Sequence, residues 1–402
     1  MSSATAIIVG GGVIGLSTAY QLARKHFGKV ILLEKGPVGD GSSTRAGGII
    51  TGLLWSETGV LVRKISLALF RELSEDMPDY RFEDVGCLNL FDPSAWPERQ
   101  RLLPLYDRLG APYEILDAGE MRYRWPELTP AETDIGLLDP LGGYSEPEEY
   151  VPALARRCRD LGVEIREAIQ VTGFVQKNGR VTGVATTEGL IEGDAVVCTV
   201  HTWTQQLLTQ LGWPPPFKAF VHQRYLSTPL SSDTSAAIKL PAINANPYNG
   251  YIRPARGHRL LAGGETGWRE EFRTPSPTFH MSALTVPPSV QEKLAADLTP
   301  LVPALGRTHW ESEKVGLIAF ALDGEPLLGP LVQLPGLYVG CAFHSGGFAY
   351  NPAAGLLLAE FVADGRTQID ISAFAPDRFA PGEVADYLAT TVVQDAALRR
   401  RH

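Results

Sequence analysis

The sequence predicts an α/β fold in which a Rossmann-like dinucleotide-binding domain is interleaved with a second, β-rich α+β domain, and three observations carry that expectation. A β-branched strand at Ala6-Ile7-Ile8-Val9 runs into Gly10-x-Gly12-x-x-Gly15, then a helical stretch, then a second apolar strand, Val30-Ile31-Leu32-Leu33, that ends on the acid Glu34. Residues 84–141 are broken by seven prolines and read as short strands and helices of another domain. Regular character returns near Pro147, as a helix followed by strands, and α/β character again in the last third of the chain.

Each glycine of the opening motif has its own task. Gly10 lets the chain turn out of the strand, Gly12 lets backbone approach a diphosphate with no Cβ in the way, and Gly15 allows close helix–strand packing. The following helix then points its free N–H groups and positive dipole end at the anion, through Val13 and Ile14. Glu34 arrives where a carboxylate accepts hydrogen bonds from ribose hydroxyls and repels a 2′-phosphate, which favours FAD or NAD over NADP.

Composition narrows the class further. A chain of 402 residues is long enough for two or three domains, and 44% apolar with 20% charged residues is ordinary for a globular protein. The net charge of -9 makes nucleic acid a poor partner, the tail Arg399-Arg400-Arg401 reading as a solvated end. No apolar run reaches the roughly 18 residues of a membrane span, and the first strand starts too near Met1 to leave room for a signal peptide. Cys87, Cys158, Cys198 and Cys341 are widely separated, which points to buried thiols, a cytoplasmic setting and no metal site.

The elements follow in order. After Glu34-Lys35 comes Gly36 to Ile50, rich in glycine and hydroxyls, whose exposed N–H groups suit ligand contact. A helix is expected over 60–74, with Leu61, Ile65, Leu69 and Phe70 on one face, and another over 148–161. Strands are expected at 163–165 and 168–175, a hairpin turn at Asn178-Gly179, a returning strand at 181–187, and a buried parallel strand at 195–200. Further strands are read at 248–254, 259–263 and 336–342, and a helix at 352–363 with Pro352 at its start. The acids of Glu146-Pro147-Glu148-Glu149 suit the start of a helix. The expected division is 1–83, 144–215 and 315–402 for the dinucleotide-binding domain, and 84–143 with 216–314 for the second.

Four separated segments, taken in order, resemble the D-amino acid oxidase-like family of FAD-dependent oxidoreductases, of the glycine oxidase and sarcosine oxidase type. They are the N-terminal βαβ unit, the loop from Gly41 to Ile50, Gly250-Tyr251-Ile252-Arg253-Pro254, and the block from Asp323 to Pro330 that runs on through Gly336 to Gly355. The resemblance implies non-covalent FAD, with Gly10, Gly12 and Gly15 at the pyrophosphate and Glu34 at the adenosine ribose beside Lys35. It places Arg45, Ala46, Gly47 and Gly48 along the flavin ring, with Ser42, Ser43 and Ile49 also among the cofactor-binding residues. Val171 would meet the adenine through its backbone, and Gly346, Gly347 and Phe348 would approach the pyrimidine side. It also implies that the β-rich domain takes the substrate, an amino acid or a primary or secondary amine, which gives a hydride to the flavin and leaves an imine that hydrolyses. The positions of covalent flavin links in some relatives correspond to Arg45 and Gly316.

Departures from the family pattern shape the expected site. The stretch before Asp323, Val315 to Leu322, lacks the arginine that relatives use for a substrate carboxylate, so Arg253 is the replacement expected, with Tyr251 on the same strand face. No lysine stands in Leu260-Leu261-Ala262-Gly263-Gly264, where sarcosine oxidases carry one for oxygen, so the acceptor is oxygen or another oxidant. His344 is a candidate for orienting substrate or taking its proton, and His201 stands where relatives have glycine. His222 and Arg224 have blander readings, Arg224 as a strand-edge charge. Two other classes remain: a flavoprotein subunit of a hetero-oligomeric amino-acid dehydrogenase passing electrons to an acceptor other than oxygen, and a nicotinamide-linked dehydrogenase, which has no need of the Gly41–Ile50 loop; as partners, a homo-oligomer and a hetero-oligomer are both open.

Overall fold

The computed structural model describes residues 4–230, 239–264 and 269–392, so the arginine tail at 399–401 lies outside the described residues. The chain is a mixed α/β protein built on two large sheets. The first has six strands, in the order Leu327–Pro330, Leu337–Cys341, Ala195–Cys198, Thr5–Val9, Lys29–Leu33, Glu164–Arg166. All its neighbours run parallel except the edge strand Leu327–Pro330. Its central strands are continuous apolar runs because both faces are covered, and Ile7, Ile8, Val196 and Val197 are fully buried.

The helix Val13–Arg24 returns over this sheet and packs against the helix Gly347–Asp364. The approach is close: a Cβ on Gly355 would stand 2.4 Å from the Ser17 carbonyl carbon. A third helix, Pro147–Asp160, joins them at Asn351, whose Oδ1 accepts hydrogen bonds from Ser17 Oγ at 2.5 Å and Tyr150 OH at 2.7 Å. The helix expected at 352–363 starts at Gly347 and carries Pro352 in its interior. Pro352 cannot donate to the Phe348 carbonyl one turn back, and Asn351 Nδ2 donates to it instead, at 2.5 Å.

The second sheet has nine strands, in the order Phe343–His344, Trp310–Ala321, Phe217–Ser227, Arg259–Gly264, Gly250–Ala255, Ala242–Ala245, Cys87–Phe91, Ile135–Asp139, Glu114–Leu116. It is antiparallel apart from the pair Ala242–Ala245 and Cys87–Phe91. Its two longest strands, Phe217–Ser227 and Trp310–Ala321, are absent from the sequence-based expectation. The cut expected between 314 and 315 falls inside the second of them, whose residues through Ala321 pair with Phe217–Ser227. The cut expected between 143 and 144 falls inside Gly143–Ser145, which joins Ile49–Ile50 and Phe82–Glu83 in a small sheet.

Other elements shift at their ends for local reasons. The helix expected at 60–74 spans Glu57–Asp76, because Ser56 caps it by accepting the Gly59 N–H at 3.0 Å. The strand expected at 168–175 spans Val171–Lys177, since Ala168 takes φ 61° and breaks the extended run. Arg224 is not an edge charge: its strand is paired on both sides and its guanidinium is buried. All four cysteines are buried free thiols. Among the described residues no helix is long and apolar enough to cross a membrane, and no group of three His, Cys, Asp or Glu side chains has the arrangement of a metal site.

Candidate active site

A cavity of about 330 Å³ lies where the glycine-rich edge of the six-stranded sheet meets the nine-stranded sheet. At its first turn Gly10 takes φ 107°, and a Cβ on Gly15 would stand 2.0 Å from the Gly10 carbonyl, so both positions require glycine. Gly10, Gly12, Val13 and Ile14 line the cavity, while Gly15 lies behind them and packs the helix against the strand. Glu34 accepts the Gly11 N–H at 2.7 Å and the Gly36 N–H at 2.9 Å. Burial raises its carboxyl pKa, and these two amide bonds offset only part of the effect.

Lys35 and Val171 line the same region. The Lys35 ammonium donates to the Pro277 and Phe279 carbonyls, each at 2.9 Å, and sits 3.8 Å from the centre of the Trp203 ring. Burial lowers its pKa to about 8. Residues 277–281 close over this part of the cavity, and nothing in their composition marks them for it.

The loop after Glu34 folds back on the helix: Ser43 Oγ accepts the Val13 N–H at 3.0 Å, and Ser42 Oγ donates to the Leu317 carbonyl at 2.7 Å. Ser42, Ser43, Arg45, Ala46, Gly47, Gly48 and Ile49 all line the cavity. Arg45 is held by the Asp40 and Gly41 carbonyls, and its side chain lies 3.2 Å from where a Gly316 Cβ would be. Gly47 and Gly263 are both needed by one ring: their Cβ atoms would stand 2.7 and 2.2 Å from Tyr251.

Tyr251 therefore projects between that loop and the strand Arg259–Gly264, with its hydroxyl 3.3 Å from His222 Nε2. Burial raises its phenol pKa to about 12, so it stays protonated. His344, Gly346, Gly347 and Phe348 line the far wall, where His344 Nδ1 accepts the Gly346 N–H at 3.2 Å. His201 also lines the cavity, at φ 50°, and burial lowers its pKa to about 4, leaving the ring neutral.

Arg253 is placed otherwise than expected. Its side chain is fully buried, with Nη1 and Nη2 on the two Glu146 carboxylate oxygens at 3.0 and 2.8 Å and Nε on the Gly47 carbonyl at 2.6 Å. It braces the loop from behind and does not line the cavity. The acids expected only to start a helix turn out to join the two sheets: Glu148 meets Arg224 and Lys314, and Glu149 meets Arg256. Burial alone would raise the Glu148 carboxyl, but the Arg224 and Lys314 charges hold it below its usual value.

The cavity suits a large, partly polar group. His201 Nδ1, Trp203 Nε1 and Gln206 Oε1 are buried on its wall without a hydrogen-bond partner among the described residues. The N-terminal end of the helix Val13–Arg24 opens into it, with the Val13 N–H held by Ser43, and glycine backbone lines the stretch a flat ring would need.

Comparison with known proteins agrees with this geometry. The model of the DAO family, FAD dependent oxidoreductases, matches residues 5–361. The chain belongs to this family. Within it, the chain is 27% identical over 376 residues to 4-methylaminobutanoate oxidase (formaldehyde-forming) of Paenarthrobacter nicotinovorans, covering 93% of this chain and 45% of that longer protein. It is 27% identical over 390 residues to the sarcosine oxidase subunit beta of an Arthrobacter species, covering 94% and 92%. The crystal structure of L-proline dehydrogenase from P. horikoshii superposes with a TM-score of 0.85 at 25% identity, covering 95% of this chain and 99% of that one. The protein is thus an FAD-dependent oxidoreductase of the DAO fold.

Proposed function

We propose that this oxidoreductase oxidises the C–N bond of an amino acid or a related primary or secondary amine, giving an imine that hydrolyses. The observation that carries this reading is the convergence of Tyr251, His222 and His344 on one cavity with the Gly47-Gly48 loop and the Gly346-Gly347 turn. FAD, when bound, accepts the hydride from the substrate carbon. The chain's own part is to hold the ring on glycine backbone, exclude water, and fix the amine so that its C–H bond faces the cofactor. Tyr251, protonated and joined to His222, offers a hydroxyl to orient a neutral amine, with His344 on the opposite wall.

The unit built on the six-stranded sheet is assigned to FAD and the nine-stranded sheet to substrate. The residues proposed to hold FAD are those of the Gly10–Gly15 turn, Glu34, Lys35, the Ser42–Ile49 loop, Val171 and Gly346 to Phe348. Four buried free thiols support a reducing, cytoplasmic location.

A second reading, a subunit that passes electrons to an acceptor other than oxygen within a hetero-oligomer, is favoured by the similarity to a sarcosine oxidase subunit beta and by the lysine-free strand Arg259–Gly264. Anaerobic bleaching of the flavin band against D- and L-amino acids, N-methyl amino acids and simple amines tests the main reading, and failure of every compound overturns it. Admission of air then separates the two: fast recolouring marks an oxidase, slow recolouring a dehydrogenase.

A further inference from the structure

Two arginines that the sequence does not single out stand one on the cavity wall and one behind it. Arg63, on the helix Glu57–Asp76, is 1% exposed, and Arg99, on the short helix Trp96–Gln100, is 0% exposed. Arg63 reaches the Thr51 and Gly346 carbonyls only at 3.5 Å each, its Nε has no hydrogen-bond partner, and its guanidinium lies 4.1 Å from the centre of the Tyr350 ring. Arg99 donates to the Leu53 carbonyl and stacks on Trp55, Phe91 and Tyr106, with Nε and Nη1 unpartnered.

The carboxylate that shares their surroundings, Asp139, is already engaged. Its Oδ2 accepts from the Gly52 N–H at 2.6 Å and Thr51 Oγ1 at 3.0 Å, and its Oδ1 from the Leu141 N–H at 3.0 Å. Two guanidinium charges against one carboxylate leave an excess of positive charge in a dry setting, which is costly until an anion balances it. Arg99 does not reach the cavity, but Arg63 lines it beside Thr51, His344 and Gly346.

The other cations on the cavity wall have partners. Lys35 is held by two carbonyls and the Trp203 ring, and Arg45 by Asp40 and Gly41. A diphosphate has donors of its own at the start of the helix Val13–Arg24. Access to Arg63 depends on Gly346, where a Cβ would stand 2.3 Å from Nη2. We propose that Arg63 binds the carboxylate of the substrate, so that the protein takes an amino acid in preference to a simple amine. This rests on the reading that it oxidises a C–N bond, and it gives Arg63 the role that the buried Arg253–Glu146 pair leaves vacant. A planar guanidinium whose Nε–H is unpartnered, and whose two Nη groups reach their carbonyls only at 3.5 Å, matches a carboxylate in a way that a lysine ammonium does not.

The test uses FAD-loaded wild type, Arg63→Met and Arg63→Lys, each first checked for flavin content and thermal stability. Acetate, propionate and benzoate are titrated while the visible flavin band is followed, and turnover is measured with the amino acid found by anaerobic bleaching and with its decarboxylated amine. The expected result is a carboxylate-dependent spectral change in wild type whose Kd rises at least 100-fold in Arg63→Met, with partial recovery in Arg63→Lys. KM for the amino acid rises by a similar factor, and the ratio of kcat/KM for the amino acid to kcat/KM for its decarboxylated amine falls with it. Should Arg63→Met not fold, Arg63→Gln, which keeps a polar side chain of similar reach but removes the charge, is expected to weaken carboxylate binding in the same assay. Absence of any carboxylate response in wild type, or a response equal in all variants, overturns the proposal. A loss of flavin content with carboxylate affinity unchanged also overturns it, since Arg63 would then serve the cofactor. These titrations need no turnover, so they stand apart from the bleaching experiment that tests the C–N reading.

Discussion

Arg253 and Glu146 form a bidentate ion pair, at 3.0 and 2.8 Å, in which the arginine is fully buried and also holds the Gly47 carbonyl at 2.6 Å. Glu146 stands at the start of the helix Pro147–Asp160, and Arg253 on a central strand of the nine-stranded sheet, so the pair ties the cavity-lining loop at Gly47 to both elements. Removing one partner strands a buried charge, at a cost of about 3–5 kcal/mol. Arg253→Met is therefore expected to lower thermal stability sharply. Arg253→Met combined with Glu146→Leu should recover much of the stability but not the loop contact, so the double variant should still load less FAD. Differential scanning calorimetry and flavin-to-protein absorbance ratios read the two effects separately.

Glu34 supports a prediction about cofactor affinity and its pH dependence. Hydrogen bonds to a charged acceptor are worth roughly 1.5–3 kcal/mol, so Glu34→Gln should weaken FAD binding about 10- to 100-fold. Burial raises the Glu34 pKa, so as pH falls the carboxylate is lost before an ordinary glutamate with a pKa of 4.5 would be. FAD retention by the wild type should therefore begin to fail at a pH above 4.5, and Glu34→Gln should lack that step. Dialysis across a pH series with fluorescence detection of released FAD checks both.

The parts legible in the sequence were those set by local backbone demands. The Gly10–Gly15 turn, the acid at Glu34 and the loop to Ile49 could be placed because a tight turn, a strand end and a ligand-lining backbone each require particular residues at fixed spacing. Which arginine faces the cavity could not be read, because neutralisation depends on partners far along the chain: Glu146 lies 107 residues from Arg253, and Gly346 lies 283 from Arg63. The strand Trp310–Ala321 escaped notice for a related reason. Its first half is largely exposed and its second half buried, so no single alternation runs through it.

Tyr251 makes the hydroxyl and the ring separable. Tyr251→Phe keeps the ring that Gly47 and Gly263 accommodate, so stability should change by no more than about 1 kcal/mol. It removes the hydroxyl that faces His222 Nε2 at 3.3 Å, and kcat/KM should fall about 10-fold, the scale of one neutral hydrogen bond. Because burial raises the phenol pKa to about 12, the wild-type pH profile should contain no limb from this residue below pH 10. Steady-state kinetics across pH 6–10 on both proteins tests the assignment, and an unchanged kcat/KM would remove Tyr251 from the site.

His201 carries a stability signature that differs in sign from that of a paired histidine. Burial lowers its pKa from 6.5 to about 4, so between those values the unfolded chain binds a proton that the folded one does not. Stability then rises with pH through that window and is lost on acidification, and at about 1.4 kcal/mol per pKa unit the contribution is roughly 3 kcal/mol. His201→Gln has no such proton to gain. Its stability should be flatter than that of the wild type from pH 6.5 down to 4, while above pH 7 the two slopes should coincide. Urea unfolding at half-unit pH intervals measures this, and parallel acid limbs in the two proteins would show that the folded-state pKa is not lowered, the backbone hydrogen bond to Leu317 then offsetting burial.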